Sequence, residues 1–210
     1  MEEIGLIVSI LTALTAIIAI CISVIQLNIS NRQYLFERRL KAYLNIKWMK
    51  SLCDENKELC YSYIKDAENG PLFAIDFLFI NLTNVSYLEG IQGVIVNLLD
   101  NEKQREFLLK LEEIKSMCEE IRLIFPEQIG YPLSDFIYYY HEMLISMYKY
   151  QIIINRISDR CNQQNISFPT NDQLENAERK KLKRNIEAVL KCAYMLDLSF
   201  INKMKKKIKL

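Results

Sequence analysis

Few residues in this chain could carry chemistry. There is one histidine, His141, in the run Tyr138-Tyr139-Tyr140-His141-Glu142-Met143. A histidine serving as a general base needs a substrate or nucleophile within hydrogen-bond reach. The neighbours of His141 are aromatic or aliphatic apart from Glu142, so it reads as a core or interface residue. Arg160 followed by Asn165 forms a polar pair near the end of the same stretch. An amide does not titrate near neutral pH and cannot act as a base there. The six cysteines are scattered without a close pair. Cys53 and Cys60 fall on one helical face but two turns apart, too far for a disulfide. The pattern fits reduced packing cysteines and implies no metal or cofactor. No nucleotide-binding loop, zinc-protease motif or nucleophile elbow occurs.

Two basic clusters stand late in the chain, Arg179-Lys180-Lys181-Leu182-Lys183-Arg184 and Lys203-Met204-Lys205-Lys206-Lys207-Ile208-Lys209. Either could neutralise RNA phosphates or rest against anionic lipid. The first also fits the solvated face of a helix, with Glu175 and Glu178 just upstream. The second, with Ile208 and Leu210 among its lysines, points toward lipid or a neighbouring subunit. The formal net charge of +1 does not choose between them.

The elements that must position these residues are helices. Half the residues are apolar and a quarter charged, with only 5 Gly and 4 Pro in 210 residues. That excludes a disordered chain and supplies too little turn chemistry for an all-β fold. From Ile4 to Leu27 no residue is charged, a run of about 36 Å at 1.5 Å per residue, long enough to cross a bilayer. Glu2 and Glu3 precede it and Gln26-Leu27-Asn28 end it, which favours an anchor over a cleaved signal peptide. Arg32, Arg38, Arg39, Lys41, Lys47 and Lys50 follow it. By the positive-inside tendency, the N-terminus should face out and residues from about 30 onward should be cytoplasmic. Ser9, Thr12, Ala16, Ala19, Ser23 and Gln26 share one stripe of this run. Such a stripe lets helices approach closely or faces a hydrated lumen; alternatively, Ser and Thr merely bond their own helix carbonyls.

Residues 1–29 thus read as a transmembrane anchor and 30–210 as a cytoplasmic helical domain. Apolar positions Leu35, Leu40, Tyr43, Leu44, Trp48, Leu52, Leu59 and Tyr63 continue the helical period, so the anchor is expected to run on as one rod. Glu68-Asn69-Gly70-Pro71 should break it. Residues 72–100 are apolar but irregular and leave short helices, a strand-like insert or a loop open. A second helix is expected from about Glu102, with Phe107, Leu108, Leu111, Ile114, Met117, Cys118, Ile121 and Phe125 inward and Pro126 closing it. A third should begin after Gly130-Tyr131-Pro132, capped near Ser134 or Asp135, burying Phe136, Ile137, Tyr140, Leu144, Met147, Tyr148 and Ile152. A last helix is expected from a cap at Asn171 or Asp172, with Leu174, Ala177, Leu182, Ile186, Val189, Leu190, Ala193 and Leu196 inward. Long helices with short connections make an antiparallel bundle the economical fold.

Helix order, length and the Arg160–Asn165 spacing resemble HEPN domains, four-helix units that often cleave RNA with an Arg and a His four to six residues apart. Asn165 stands where the histidine would be, so the resemblance implies a degenerate site and leans away from an enzyme. The whole layout, an acidic start, one anchor, the juxtamembrane Phe36-Glu37-Arg38-Arg39-Leu40-Lys41-Ala42-Tyr43 and a HEPN-like bundle, looks like the membrane accessory proteins of type VI-B CRISPR systems. That resemblance implies a homo-oligomeric antiviral effector in the bacterial inner membrane, which forms a pore and depolarises the cell alongside an RNA-guided nuclease or its RNA products. The rival expectation is a membrane-tethered HEPN RNA-binding protein or ribonuclease. A monomeric anchored scaffold is a third.

Overall fold

An uninterrupted supply of helix formers, with neither Gly nor Pro between Gly5 and Gly70, lets one helix grow far beyond ordinary length. In the computed structural model, which describes residues 2–98, 100–169 and 172–208, α1 spans Glu2–Glu55, 54 residues or about 80 Å. Among the described residues its first half packs against no other element. Every described side chain from Ile7 to Tyr34 is exposed, including Ile10, Leu14, Ile18, Ile22, Ile25 and Leu27. From Ala42 onward α1 enters a core, burying Ile46, Met49, Leu52 and Cys53. One helix is therefore long and apolar enough to cross a membrane, and the same helix is a core element of the domain.

Helical hydrogen bonding passes through a kink at Asn56, whose amide donates to the Leu52 carbonyl (3.0 Å) and whose carbonyl accepts from Cys60 (2.9 Å). Beyond it α2 spans Lys57–Asn69 and ends at Gly70, where the turn signals place the break. The irregular segment then resolves into α3 (Ile75–Asn81), a 3-10 turn at Ser86–Leu88 and α4 (Gly93–Val96). Ile75, Leu78, Phe79, Leu82, Leu88, Ile91, Val94 and Ile95 are all buried, so this segment belongs to the core. Three long helices complete the bundle: α5 (Asn101–Ile124), α6 (Glu127–Gln164) and α7 (Gln173–Met195), followed by the short α8 (Leu198–Ile208). α6 lies between α5 and α7, while α1 packs on α5, α7 and α8. Among the described residues there is no strand. The class is all-α.

Caps explain two of the starts. Asp100 accepts from the amides of Glu102 (2.9 Å) and Lys103 (3.3 Å), and Asp172 accepts from Leu174 and Glu175 at 3.0 Å each; such a cap is worth ~1 kcal/mol. Asn171, the other cap candidate, lies outside the described residues.

Several expectations need correction. α6 begins at Glu127 and runs straight through Pro132, so Gly130-Tyr131-Pro132 is no boundary and neither Ser134 nor Asp135 is a cap. The cause is packing. A Cβ on Gly130 would stand 3.3 Å from the carbonyl oxygens of both Ile121 and Phe125, so this glycine lets the first turn of α6 close onto the end of α5. Pro132 near the helix start forfeits one hydrogen bond, which that packing outweighs. Ser134 is buried and accepts from the Arg122 Nε–H (2.7 Å), with the Cys118 thiol at 3.0 Å. Leu108, Leu174 and Ala177 are exposed although their spacing pointed inward. Leu40 and Trp48 are only partly covered, at 36% and 38% exposed.

Ala74 is held at φ 59°, a left-handed conformation that costs a residue with a Cβ ~1–2 kcal/mol. The Tyr63 hydroxyl donates to its carbonyl at 2.6 Å and fixes the turn into α3. Ala74→Gly is accordingly expected to stabilise the domain by about 1 kcal/mol, read as a rise in the midpoint of thermal unfolding.

Candidate functional site

The small-residue stripe is the first candidate. Ser9, Thr12, Ala16, Ala19, Ser23 and Gln26 fall within about 100° of arc on a regular helix, and all six side chains are exposed. The Ser23 hydroxyl donates to the Ala19 carbonyl at 2.8 Å, and Thr15 does the same to Thr12 at 2.9 Å. The bond of Ser23 stays within its own helix and keeps that hydroxyl from projecting, while mostly Ile and Leu line the rest of the rod.

What ties that rod to the domain is Arg39, one of six basic residues from Arg32 to Lys50 that the sequence does not tell apart. Its Nε–H donates to the Ile124 carbonyl (2.7 Å) and its Nη1–H to the Lys207 carbonyl (2.9 Å). One guanidinium thus serves the C-terminal ends of α5 and α8 together, where unsatisfied carbonyls and the helix dipoles both favour a cation. The Phe125 ring lies 5.7 Å from the same group. Next to it Arg38 pairs with Glu120 at 3.1 Å.

Arg160 and Asn165 both fall at the C-terminal end of α6. Arg160 is on the exposed face of α6, with Nη2 3.9 Å from Oδ2 of Asp172. Asn165 is the residue that ends α6, at φ 53° and ψ 42°, and Ile166 donates back to the Cys161 carbonyl at 3.0 Å. Asn tolerates this left-handed conformation better than most residues, which accounts for its presence there. Arg160 and Asp172 border an open groove with Ile153, Arg156, Ile157, Asp159 and Leu174. The one histidine cannot reach it, since His141 lies 19 positions back along α6, about 28 Å away. His141 is mostly covered and sits 3.4 Å from Glu142. Burial pushes its imidazole below the usual value, with Glu142 pulling the other way. Five of the six cysteines, Cys53, Cys60, Cys118, Cys161 and Cys192, are buried and free, and Cys21 is exposed on the apolar half of α1. Burial raises the Cys60 thiol to about 12, so it stays protonated and poorly nucleophilic.

No family model, curated protein or solved structure matches the chain.

The two basic clusters turn out to differ. In the first, Arg179 is buried (7%) against Glu175 (0%), so this stretch is not simply a solvated face. Nη1 of Arg179 lies 3.4 Å from Oε2 of Glu175. The Tyr150 hydroxyl donates to the other oxygen of Glu175 at 2.6 Å and accepts from the Leu72 amide at 2.7 Å. Burial and the carboxylate both push the Tyr150 hydroxyl up, which keeps it a donor. Lys183 bonds Glu68 of α2 at 2.5 Å, leaving Lys180, Lys181 and Arg184 as the outward charges. The second cluster sits on α8, where Met204 and Ile208 are buried and Lys203, Lys205, Lys206 and Lys207 face out. Lys209 and Leu210 lie outside the described residues. Glu175 with Arg179 at i,i+4 was the signal for a pair; that the pair is buried depends on Tyr150 and Leu72 arriving from elsewhere.

Proposed function

We propose that the protein is a membrane-anchored antiviral defence effector whose copies associate through the stripe of α1 into a pore, depolarising a bacterial inner membrane and enhancing RNA-guided CRISPR interference. One observation carries this reading: the described side chains of the apolar half of α1 are all exposed, yet the helix continues without a break into the core. A simple tether would work equally well through a flexible linker. A rigid rod with a small-residue stripe gives neighbouring copies a surface on which backbones approach closely. The basic residues from Arg32 to Lys50 favour an orientation with the N-terminus out and the domain cytoplasmic. The CRISPR context, the HEPN-like identity of the bundle and a partnership with an RNA-guided nuclease or its RNA products come from the sequence resemblance. The ribonuclease alternative is disfavoured by the separation of Arg160 from His141 and by the helix-ending role of Asn165.

The test is to purify the full chain in detergent, measure particle size, and follow dye release and potential in proteoliposomes. A defined oligomer that leaks is expected. Ala16→Leu with Ala19→Leu keeps the helix and its apolarity but fills the stripe, and should cut leakage by about tenfold or more and shrink the particle. A monomeric wild-type protein, or unchanged size and leakage in the double variant, would overturn the reading.

A further inference from the structure

The lysines of α8 are held at one particular place. Arg39 bonds the Lys207 carbonyl and the Ile124 carbonyl, so α8 ends beside the point where α1 leaves the domain. Lys203, Lys206 and Lys207 line a groove with Gln128 and Ile129, from the first turn of α6. The corner between α5 and α6 adds Leu123, 86% exposed, and the half-exposed Tyr131, with Arg122 5.6 Å from the Tyr131 ring. Among the described residues none of Lys203, Lys205, Lys206 and Lys207 pairs with a carboxylate, whereas seven other lysine and arginine side chains of α1, α5 and α7 do. Four unneutralised cations, an aromatic and a leucine are therefore gathered at the end of the domain that faces the apolar rod.

Distance decides what they can meet. Leu27 to Arg39 is about 18 Å of helix. The headgroup layer takes roughly 5–7 Å of that, leaving a gap comparable to the ~8–10 Å over which charge is felt in physiological salt. The run from Ile4 to Leu27, about 36 Å, exceeds a ~30 Å hydrocarbon core, and such an excess is relieved by tilting, which lowers one flank of the domain. The α7 cluster is out of range. Lys183 meets Glu68 in α2, past the end of α1, which is itself about 42 Å from Leu27.

We propose that α8 is a membrane-surface docking element: Lys203, Lys205, Lys206 and Lys207 rest on anionic phospholipid headgroups, with Leu123 and Tyr131 at the interface beside them. This rests on the reading that α1 is inserted in a bilayer. Contact on this flank fixes the tilt of the rod, because α8 and α1 are joined through Arg39.

The full chain is reconstituted in phosphatidylcholine vesicles with or without phosphatidylglycerol, treated with an amine-acetylating reagent, and each lysine is quantified by mass spectrometry. Anionic lipid is expected to lower acetylation of the α8 lysines by about fivefold, the worth of ~1 kcal/mol per residue, and high salt should restore it. Lys180 and Lys181 should not respond. In Lys205→Gln/Lys206→Gln/Lys207→Gln, protection of Lys203 should be lost while the melting temperature stays. Equal acetylation in both lipids would overturn the proposal, as would an equal drop at Lys180 and Lys181. Protection by added RNA but not by anionic lipid would overturn it in favour of nucleic acid. Alkaline extraction in the same vesicles separates the two failures: release of the chain means that α1 was not inserted, and retention with unprotected lysines means that α8 does not dock.

Discussion

Glu175→Ala is expected to destabilise the domain by about 3–5 kcal/mol, because it strands a buried cation. The Arg179 side chain is almost wholly enclosed, and its Nε and Nη1 have no hydrogen-bond partner of good geometry. Its charge is compensated by the Glu175 carboxylate and by an Nη2 hydrogen bond to Asn176. The same carboxylate receives the Tyr150 hydroxyl, which in turn receives the Leu72 amide. Alanine at 175 therefore leaves the Arg179 charge and the Tyr150 hydroxyl without their partner and loosens the hydroxyl that holds the Leu72 amide. Replacing both members, Glu175→Leu with Arg179→Met, should return most of the loss, since a well-packed apolar pair avoids the desolvation of two ions. Denaturant unfolding of the full chain in detergent, followed at α-helical wavelengths, gives both values. A double variant as unstable as the single one would show that the pair stabilises by more than mutual compensation. The network's use lies in where it reaches: Leu72 follows the break after α2, so the pair fixes that turn onto α6 and α7.

Arg39→Ala is expected to cost about 2 kcal/mol, two charge-assisted hydrogen bonds discounted for partial exposure. The loss should be local. Amides of α8 and of the last turn of α5 should exchange faster with deuterium, while the buried middle of α7 keeps its protection. Arg39→Lys restores the charge but not two donors set at different angles, so it should recover less than half of the effect. Uniform loss of protection across the domain would show that Arg39 supports the whole fold and not the junction.

Much of the architecture is readable in the sequence because it rests on local pattern. The uncharged run from Ile4, the inward spacing of Phe107, Leu111, Ile114 and Ile121, and the Asp172 cap are decided by residues within a few turns of each other. The failures share a different physics. Pro132 looks like a boundary because helices disfavour proline, but the contact of Gly130 with the end of α5 overrides that preference. Residues 72–100 lack a sustained period because three short pieces each present only one or two turns to the core. Arg179 looks solvated, as basic runs usually are, until Tyr150 and Leu72 bring the partners that let Glu175 go inside. Arg39 is indistinguishable from Arg38 in the sequence, since its acceptors lie 85 and 168 positions away. Of the stripe, helical spacing alone gives the shared face. Of the Arg160–Asn165 pair, the sequence gives the missing base but not the backbone reason for an asparagine.

The unbroken course of α1 has a mechanical consequence. A helix without a swivel transmits torque, so a domain turning about the rod axis turns the apolar half by the same angle. Adjacent residues are set about 100° apart around that axis, and a rotation of that size would exchange the stripe for the isoleucine and leucine flank beside it. In an assembly of such rods, twisting the domains is equivalent to changing which face lines each contact. The rods would then act as crankshafts, with the angular position of the domains as the controlled variable.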